Sequence, residues 1–327
     1  MDVLSDVLRA VRLTGALFFD VHAGNELVAE TPLSALIAGS VMPDAEHVIS
    51  FHIMLEGSCW AELTQVEGQD PIRLNAGDII IFPRGDAHVF CSVPGMRNAP
   101  DLKMYKPPKQ SPLPIILEGR GEGQPHDVRF ICGYLGCDAT PYNPLLEALP
   151  RIIHSGKHEN GGHLEIDLIQ LAVEESKDQR AGGETVLAKL SELLFIRAIR
   201  RYIDNLDEDA EGWLSALRDK HVSEALTLIH QAPSKDWTLD SLAKEVGVSR
   251  SSFSERFTKL TGISPIKYLA QWRMQLAARL LEKPEITVAR AASEVGYQSE
   301  AAFNRAFKKY VGTPPGEWRR AHVVTDA

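Results

Sequence analysis

The chain has 327 residues, 44% apolar and 24% charged, more than one hydrophobic core usually serves, so two domains are expected. No apolar run approaches the roughly 20 residues that cross a bilayer, and four cysteines make no disulfide framework, which excludes helical membrane proteins and disulfide-stapled secreted domains. The net charge of −9 hides a split: residues 233–327 carry 15 Lys+Arg against 10 Asp+Glu and the remainder 20 against 34, an acidic body with a basic tail that suits a polyanion partner.

The start, "MDVLSDVLRAVRL", has amphipathic helical spacing and carries Asp2 and Asp6. It does not read as a secretory signal, and a cytoplasmic protein is expected. Next come short strand-like runs: "HVISFHIMLEGSCWAEL" (His47 to Leu63, turning at Glu56-Gly57), "PIRLNAGDIIIFP" and "AHVFCSV". Closely spaced short strands with glycine turns predict a small barrel. Gly77, Pro83, Gly85 and His88 are spaced in a way that resembles the second motif of the cupin barrel, and "IMLEG" resembles the strand after the first cupin motif.

A metal-dependent cupin enzyme would place two histidines and a glutamate before that strand. Here Ser50 falls at the glutamate position and no His-x-His precedes it. Only His88 is in register, with His52 on the strand face of Ser50 and His47 expected on the other. Open metal sites want three or four protein ligands, so no metal or other cofactor is implied. His47, His52, Trp60 and His88 stand as candidate effector contacts, against the alternative that the histidines are structural. A cupin oxygenase or isomerase carrying the basic tail is the rival from another class.

"IDLIQLAVEESKDQRAGGETVLAKLSELLFIRAIRRYI" predicts two helices separated by Gly182-Gly183. In the second, Leu187, Leu190, Leu194 and Ala198 form an apolar stripe beside Arg197 and Arg201, expected to be a dimer contact rather than core. "IDNLDEDAEGW" is an acidic break, and Pro233-Ser234 marks a boundary.

The tail repeats itself. Ala243, Glu245, Val246 and Gly247 recur 49 positions on as Ala292, Glu294, Val295 and Gly296; Phe253, Phe257, Lys259, Gly262 and Pro265 recur 50 on as Phe303, Phe307, Lys309, Gly312 and Pro315. Each unit predicts a helix, a glycine turn and a second helix with inward phenylalanines, which is the helix-turn-helix pattern. The outward face of the first unit offers Ser249, Arg250, Ser251, Ser252, Ser254, Glu255, Arg256 and Lys259. The second offers Gln298, Ser299, Glu300, Ala301, Asn304, Arg305, Lys308 and Lys309. Arg, Asn, Ser and Lys can donate to base edges and phosphates. Between the units, "SPIKYLAQWRMQLAARLL" predicts one helix from about Pro265 to Leu281.

"SLAKEVGVSRSSFSERFTKLTGISPIKYLAQWRMQLAARLL" and "AASEVGYQSEAAFNRAFKKYVGTPPGEWR" resemble the DNA-binding domain of the AraC/XylS transcriptional regulators, with Ala291 where that family often has isoleucine. "CGYLGCDATPYNPLLEALPRIIH" (Cys132 to His154) resembles the branch with a cupin-type sensor. By resemblance, the second unit anchors on a promoter half-site and the first adds sequence reading. Some relatives in this branch sense oxidants through thiols, so Cys59, Cys91, Cys132 and Cys137 are redox candidates. Small core hydrophobes are the plainer reading, since no Lys or Arg flanks them closely.

The expected protein is α+β: a cupin-like sensor domain over 1–160, a helical dimerisation and linker region over 161–232, and an all-α domain over 233–327 with two helix-turn-helix units joined by a long helix. The resemblance implies a sequence-specific transcription regulator rather than an enzyme, responding to a small-molecule or redox signal. Its expected partners are double-stranded DNA, an unidentified effector, RNA polymerase and a second copy of itself, and not a membrane.

Overall fold

The computed structural model describes residues 2–24, 26–66, 68–106, 114–119, 127–156, 163–178, 181–207 and 209–322. Helix α1 (Val3–Ala10) is followed by strands β1 (Thr14–Ala23) and β2 (Val28–Thr31) and by helix α2 (Ser34–Val41). A run of strands comes next: β3 (His47–Glu56), β4 (Ser58–Leu63), β5 (Ile72–Asn75), β6 (Ile79–Phe82), β7 (His88–Cys91), β8 (Ile115–Gly119) and β9 (Val128–Cys137). Helix α3 (Pro144–Ala148), strand β10 (Ile153–Ser155) and helices α4 (His163–Asp178) and α5 (Gly183–Asp204) follow. The rest is helical: α6 (Trp213–Ala216), α7 (Lys220–Gln231), α8 (Leu239–Glu245), α9 (Arg250–Thr261), α10 (Pro265–Leu281), α11 (Val288–Glu294), α12 (Glu300–Val311) and α13 (Pro315–His322).

Neither of the two compact units is a single stretch of chain. A sheet-rich unit takes residues 13–138 and 149–205, and a helical unit takes 1–12, 139–148 and 206–327. This corrects the linear division at 160 and 232. Helices α1 and α3 belong to the helical unit, while α4 and α5, expected in a linker, belong to the sheet-rich one. The reason is packing: α1 buries Val3, Leu4, Val7 and Ala10, and the helices it touches are α7 and α10. An amphipathic helix announces that one face is covered, not what covers it.

The sheet-rich unit has a six-stranded sheet, β10-β6-β3-β9-β1-β8, and a four-stranded sheet, β2-β7-β4-β5. Strand alternation sends Phe19, Met54, Phe82, Phe130, Cys132 and Tyr134 of the larger sheet into a common core with Cys59, Ala61, Leu63, Leu74 and Phe90 of the smaller one. Strand β9 is buried along its whole length, because α5 packs on β1 and β9 from outside. Gly15 permits the approach: a Cβ there would lie 2.6 Å from the Ala188 carbonyl and 2.7 Å from the Ser191 Cβ. Leu187, Leu190, Leu194 and Ala198 are buried on α5, so the stripe expected to make a dimer contact is core of its own unit.

In the helical unit, α8–α9 and α11–α12 are the two repeated hairpins, turned by Gly247 and Gly296 at φ +71° and +85°, which favour glycine. Helix α10 carries Pro at its start and runs 17 residues, which at ~1.5 Å each gives roughly 25 Å. Its Met274, Ala277, Ala278 and Leu281 form one core with Ala291, Ala292, Val295, Phe303, Phe307 and Trp318 of the second hairpin.

Candidate nucleic-acid interface and barrel interior

Ser249 begins α9 by accepting the Ser252 N–H at 3.2 Å, an N-cap that satisfies one orphan donor. Phe253 and Phe257 point inward with their rings edge-on at 5.7 Å. Arg250, Ser251, Ser252, Glu255, Arg256 and Lys259 face out, and Ser254 is half-buried. The cations on this face already have carboxylates. Arg256 pairs with Asp219 at 2.5 Å, Arg250 with Asp240 at 3.4 Å, and Lys259 with Glu211 at 3.9 Å.

Only the first of these is more than a loose surface pair. Asp219 is largely buried and also accepts the His221 and Val222 N–H groups at the start of α7. Burial pushes its carboxyl up, but the Arg256 guanidinium and those two N–H groups outweigh that and hold it low. Arg256 lies on the outward face as expected, and its guanidinium is tied to the start of α7. Sequence reasoning missed Asp219, whose one signal is its place just before an apolar-periodic run.

Helix α12 is built alike, with the Ser299 hydroxyl accepting the Ala302 N–H at its start. Phe303 and Phe307 are buried; Gln298, Ser299, Glu300, Ala301, Arg305, Lys308 and Lys309 face out. Asn304 is half-buried, and its side-chain oxygen has no hydrogen-bond partner. Lys309 lies over the Tyr310 ring at 5.2 Å. Among the described residues no carboxylate pairs with Arg305, Lys308 or Lys309. The two helices have the same frame and different electrostatics.

The barrel holds the histidine question. His52 and His88 are buried among aromatics, with their Nε2 atoms 2.8 Å apart and the His88 ring stacked on Phe82 at 3.7 Å. His88 Nδ1 lies 2.8 Å from the Asp86 carbonyl, which can only accept, so Nδ1 carries the proton. In the neutral pair His88 Nε2 must then accept and His52 Nε2 donate. His52 Nδ1 is left as a buried lone pair without a partner. Burial, reinforced by His88, drives the His52 pKa down, and burial takes His88 to about 4.

Ser50 lies in the same interior beside Ser34, their hydroxyls 3.2 Å apart. Two histidines and a serine do not fit the three or four ligands a cupin metal wants. No group of three or more His, Cys, Asp and Glu able to hold a metal occurs among the described residues. The other two effector candidates fall elsewhere. His47 points off the opposite strand face to the Pro83 carbonyl at 2.7 Å, and Trp60 is on the outer face beneath Arg73.

All four cysteines are buried free thiols. Burial pushes Cys59 and Cys137 up to about 12 and Cys91 to about 11, and raises Cys132 too. Cys132 and Cys137 stand on opposite faces of β9, as do Cys59 and Cys91 on their paired strands. The redox expectation meets buried thiols of raised pKa, which disfavours thiolate chemistry; Cys59 and Cys132 share the apolar core, and Cys91 and Cys137 point off the other faces of their strands. A buried ion pair that sequence reasoning missed, Arg129 with Asp20 at 2.6 Å, joins β9 to β1.

A cupin family profile matches residues 2–204, and a helix-turn-helix domain profile matches 242–321. A putative AraC-like transcription regulator of Streptomyces lividans is 30% identical over 98% of this chain and 98% of its own length. An uncharacterized HTH-type transcriptional regulator of Haemophilus influenzae is 33% identical over 83% of this chain and 86% of its own. The HTH-type transcriptional regulator AlkR of Acinetobacter baylyi is 32% identical over 84% and 89%. A cupin unit with a doubled helix-turn-helix defines the class, a DNA-binding transcriptional regulator and not an enzyme. The chain belongs to the AraC-like transcriptional regulators.

Proposed function

We propose that this regulator anchors on duplex DNA through α12, reads further sequence through α9, and is controlled by a small molecule at the sheet-rich unit. The observation that carries the assignment is the electrostatic difference between the two helices. Arg305 and Lys308 can meet phosphates and base edges without giving up a carboxylate. On α9, Arg250, Arg256 and Lys259 must first exchange one, so α9 adds discrimination more than affinity. Ser251, Ser252, Ser254, Glu255, Gln298, Glu300, Ala301 and Asn304 flank these cations on the same faces. Helix α10 is long enough to hold α9 and α12 near successive major-groove faces, about 34 Å apart on straight DNA, with a modest bend.

The histidine pair is walled in by aromatics, so an effector contact there requires the core to open. A cleft of about 500 Å³ framed by Met54, Glu56, Arg129, Ile169 and Glu174 admits a small molecule without disturbing that core. Dimerisation is supported by Leu171, Val186 and Leu193, which stay exposed on α4 and α5, the last two seven residues apart. No helix among the described residues is long and apolar enough to cross a membrane. We read the protein as a cytoplasmic one working beside RNA polymerase. Footprinting on the DNA flanking its own gene, with and without candidate effectors, tests this reading. The expected result is a protected site whose strength or extent depends on an effector; protection that no effector alters would remove the sensor role.

A further inference from the structure

Gln275 is the one polar residue among the fully buried positions of α10, 1% exposed between apolar neighbours. Both ends of its amide are used. Its Oε1 accepts the Tyr142 N–H at 3.0 Å, and its Nε2 donates to the Ala10 carbonyl at 3.2 Å. A backbone N–H only donates and a carbonyl only accepts, so the chemistry of its partners fixes which way the amide faces.

The two partners have a particular place in the chain. Ala10 ends α1, four residues before β1 begins; Tyr142 follows the end of β9 by five residues. Strands β1 and β9 are hydrogen-bonded neighbours, with Thr14 paired to Gly136 and Gly15 to Leu135. One side chain therefore holds the segment that enters one strand and the segment that leaves its partner. Strand β9 also pairs with β3, where Cys132 lies opposite His52. The same two segments touch α10 and its end elsewhere. Arg12 pairs with Glu282 at 3.1 Å, and the Tyr142 ring meets Tyr268 edge-on at 5.9 Å. An amide that only satisfied two stray backbone groups would have no reason to choose the two flanks of one strand pair.

We infer that Gln275 is the coupling clip of this regulator, registering the β1 entrance and the β9 exit on the helix that joins the two helix-turn-helix units. The inference rests on the reading that the helical unit binds DNA under control of the barrel. Movement of β9 against β1 that shifts Tyr142 relative to Ala10 would force the Gln275 amide to turn or to release one of its two bonds, and either change is felt on α10. Coupling is reciprocal, so DNA bound at α9 and α12 must be felt at β1 and β9.

The test uses the full chain and duplex DNA flanking its own gene, with affinity from fluorescence anisotropy and backbone amide exchange followed across β1 and β9. In the wild type, DNA should change exchange at Thr14–Gly15 and Gly133–Cys137 about fivefold or more, the lower end of typical coupling. Gln275→Met should still bind DNA while that change vanishes. Gln271→Met, one turn earlier on α10, should behave as wild type, a distinction that mere loosening of the helix would not make. If Gln275→Met does not fold, Gln275→Asn replaces it, keeping the amide but too short to reach both partners. An equal response in variant and wild type, or none in the wild type, overturns the clip and leaves the DNA-binding reading standing. Absence of specific DNA binding by the wild type overturns that reading, and the clip with it.

Discussion

Acid should loosen the sheet-rich unit, and the histidine pair sets how much. A histidine that is neutral when folded and free to protonate when unfolded makes the unfolded state bind more protons, so stability rises with pH across that window. For His88 the window runs from the ordinary 6.5 down to about 4. Its full contribution is present above 6.5 and is lost as pH falls towards 4. At about pH 5 the loss covers some 1.5 pH units at about 1.4 kcal/mol each, or about 2 kcal/mol from His88 alone. His52 shifts in the same direction and adds to it. All four cysteines lie in this unit and are buried, so their labelling reports its unfolding and not that of the helical unit. Urea titrations read with dithiodipyridine, which reacts at acid pH, should give a lower midpoint at about pH 5 than at about pH 7.5. The double variant H52L/H88F should flatten the dependence. A wild-type midpoint that does not move with pH would refute the neutral, dry histidine pair.

Four substitutions probe the two units separately. Arg305→Ala should weaken DNA binding by about 1–3 kcal/mol and lower the salt slope by about one, measured by anisotropy; Arg256→Ala should cost less affinity because its guanidinium is already held by Asp219, and equal losses would contradict the division of labour. Phe303→Ala, at a position with no exposed surface, should destabilise the helical unit by about 3–5 kcal/mol, seen by tryptophan fluorescence in urea. Gly15→Ala should push α5 from β1 and cost the sheet-rich unit about 1–3 kcal/mol, seen by thiol labelling; an unchanged midpoint would mean that α5 yields freely.

Much of this was legible in the chain because it depends on local periodicity. The two hairpins, their glycine turns, the inward phenylalanines and the limits of α10 follow from spacing alone. So do the strand pattern around Gly57 and the shared face of Ser50 and His52. What escaped is the identity of covering partners. The Leu187–Leu194 stripe looks the same whether its own sheet or a second copy buries it. The apolar face of α1 does not reveal that α7 and α10 receive it. Arg256 and Asp219 are far apart in sequence, so a cation on an outward helix face gave no hint of being engaged. Gln275 was silent for the same reason, since its partners are backbone groups from two distant segments.

The central claim, that the helical unit grips duplex DNA through the faces of α9 and α12, is tested most directly by the affinity of the full chain for the DNA flanking its own gene. The comparison is a shuffled duplex of the same length, with salt varied. Tighter binding to the natural duplex is expected, with an affinity that falls steeply as salt rises. Equal affinity for both duplexes, or binding that ignores salt, would contradict it.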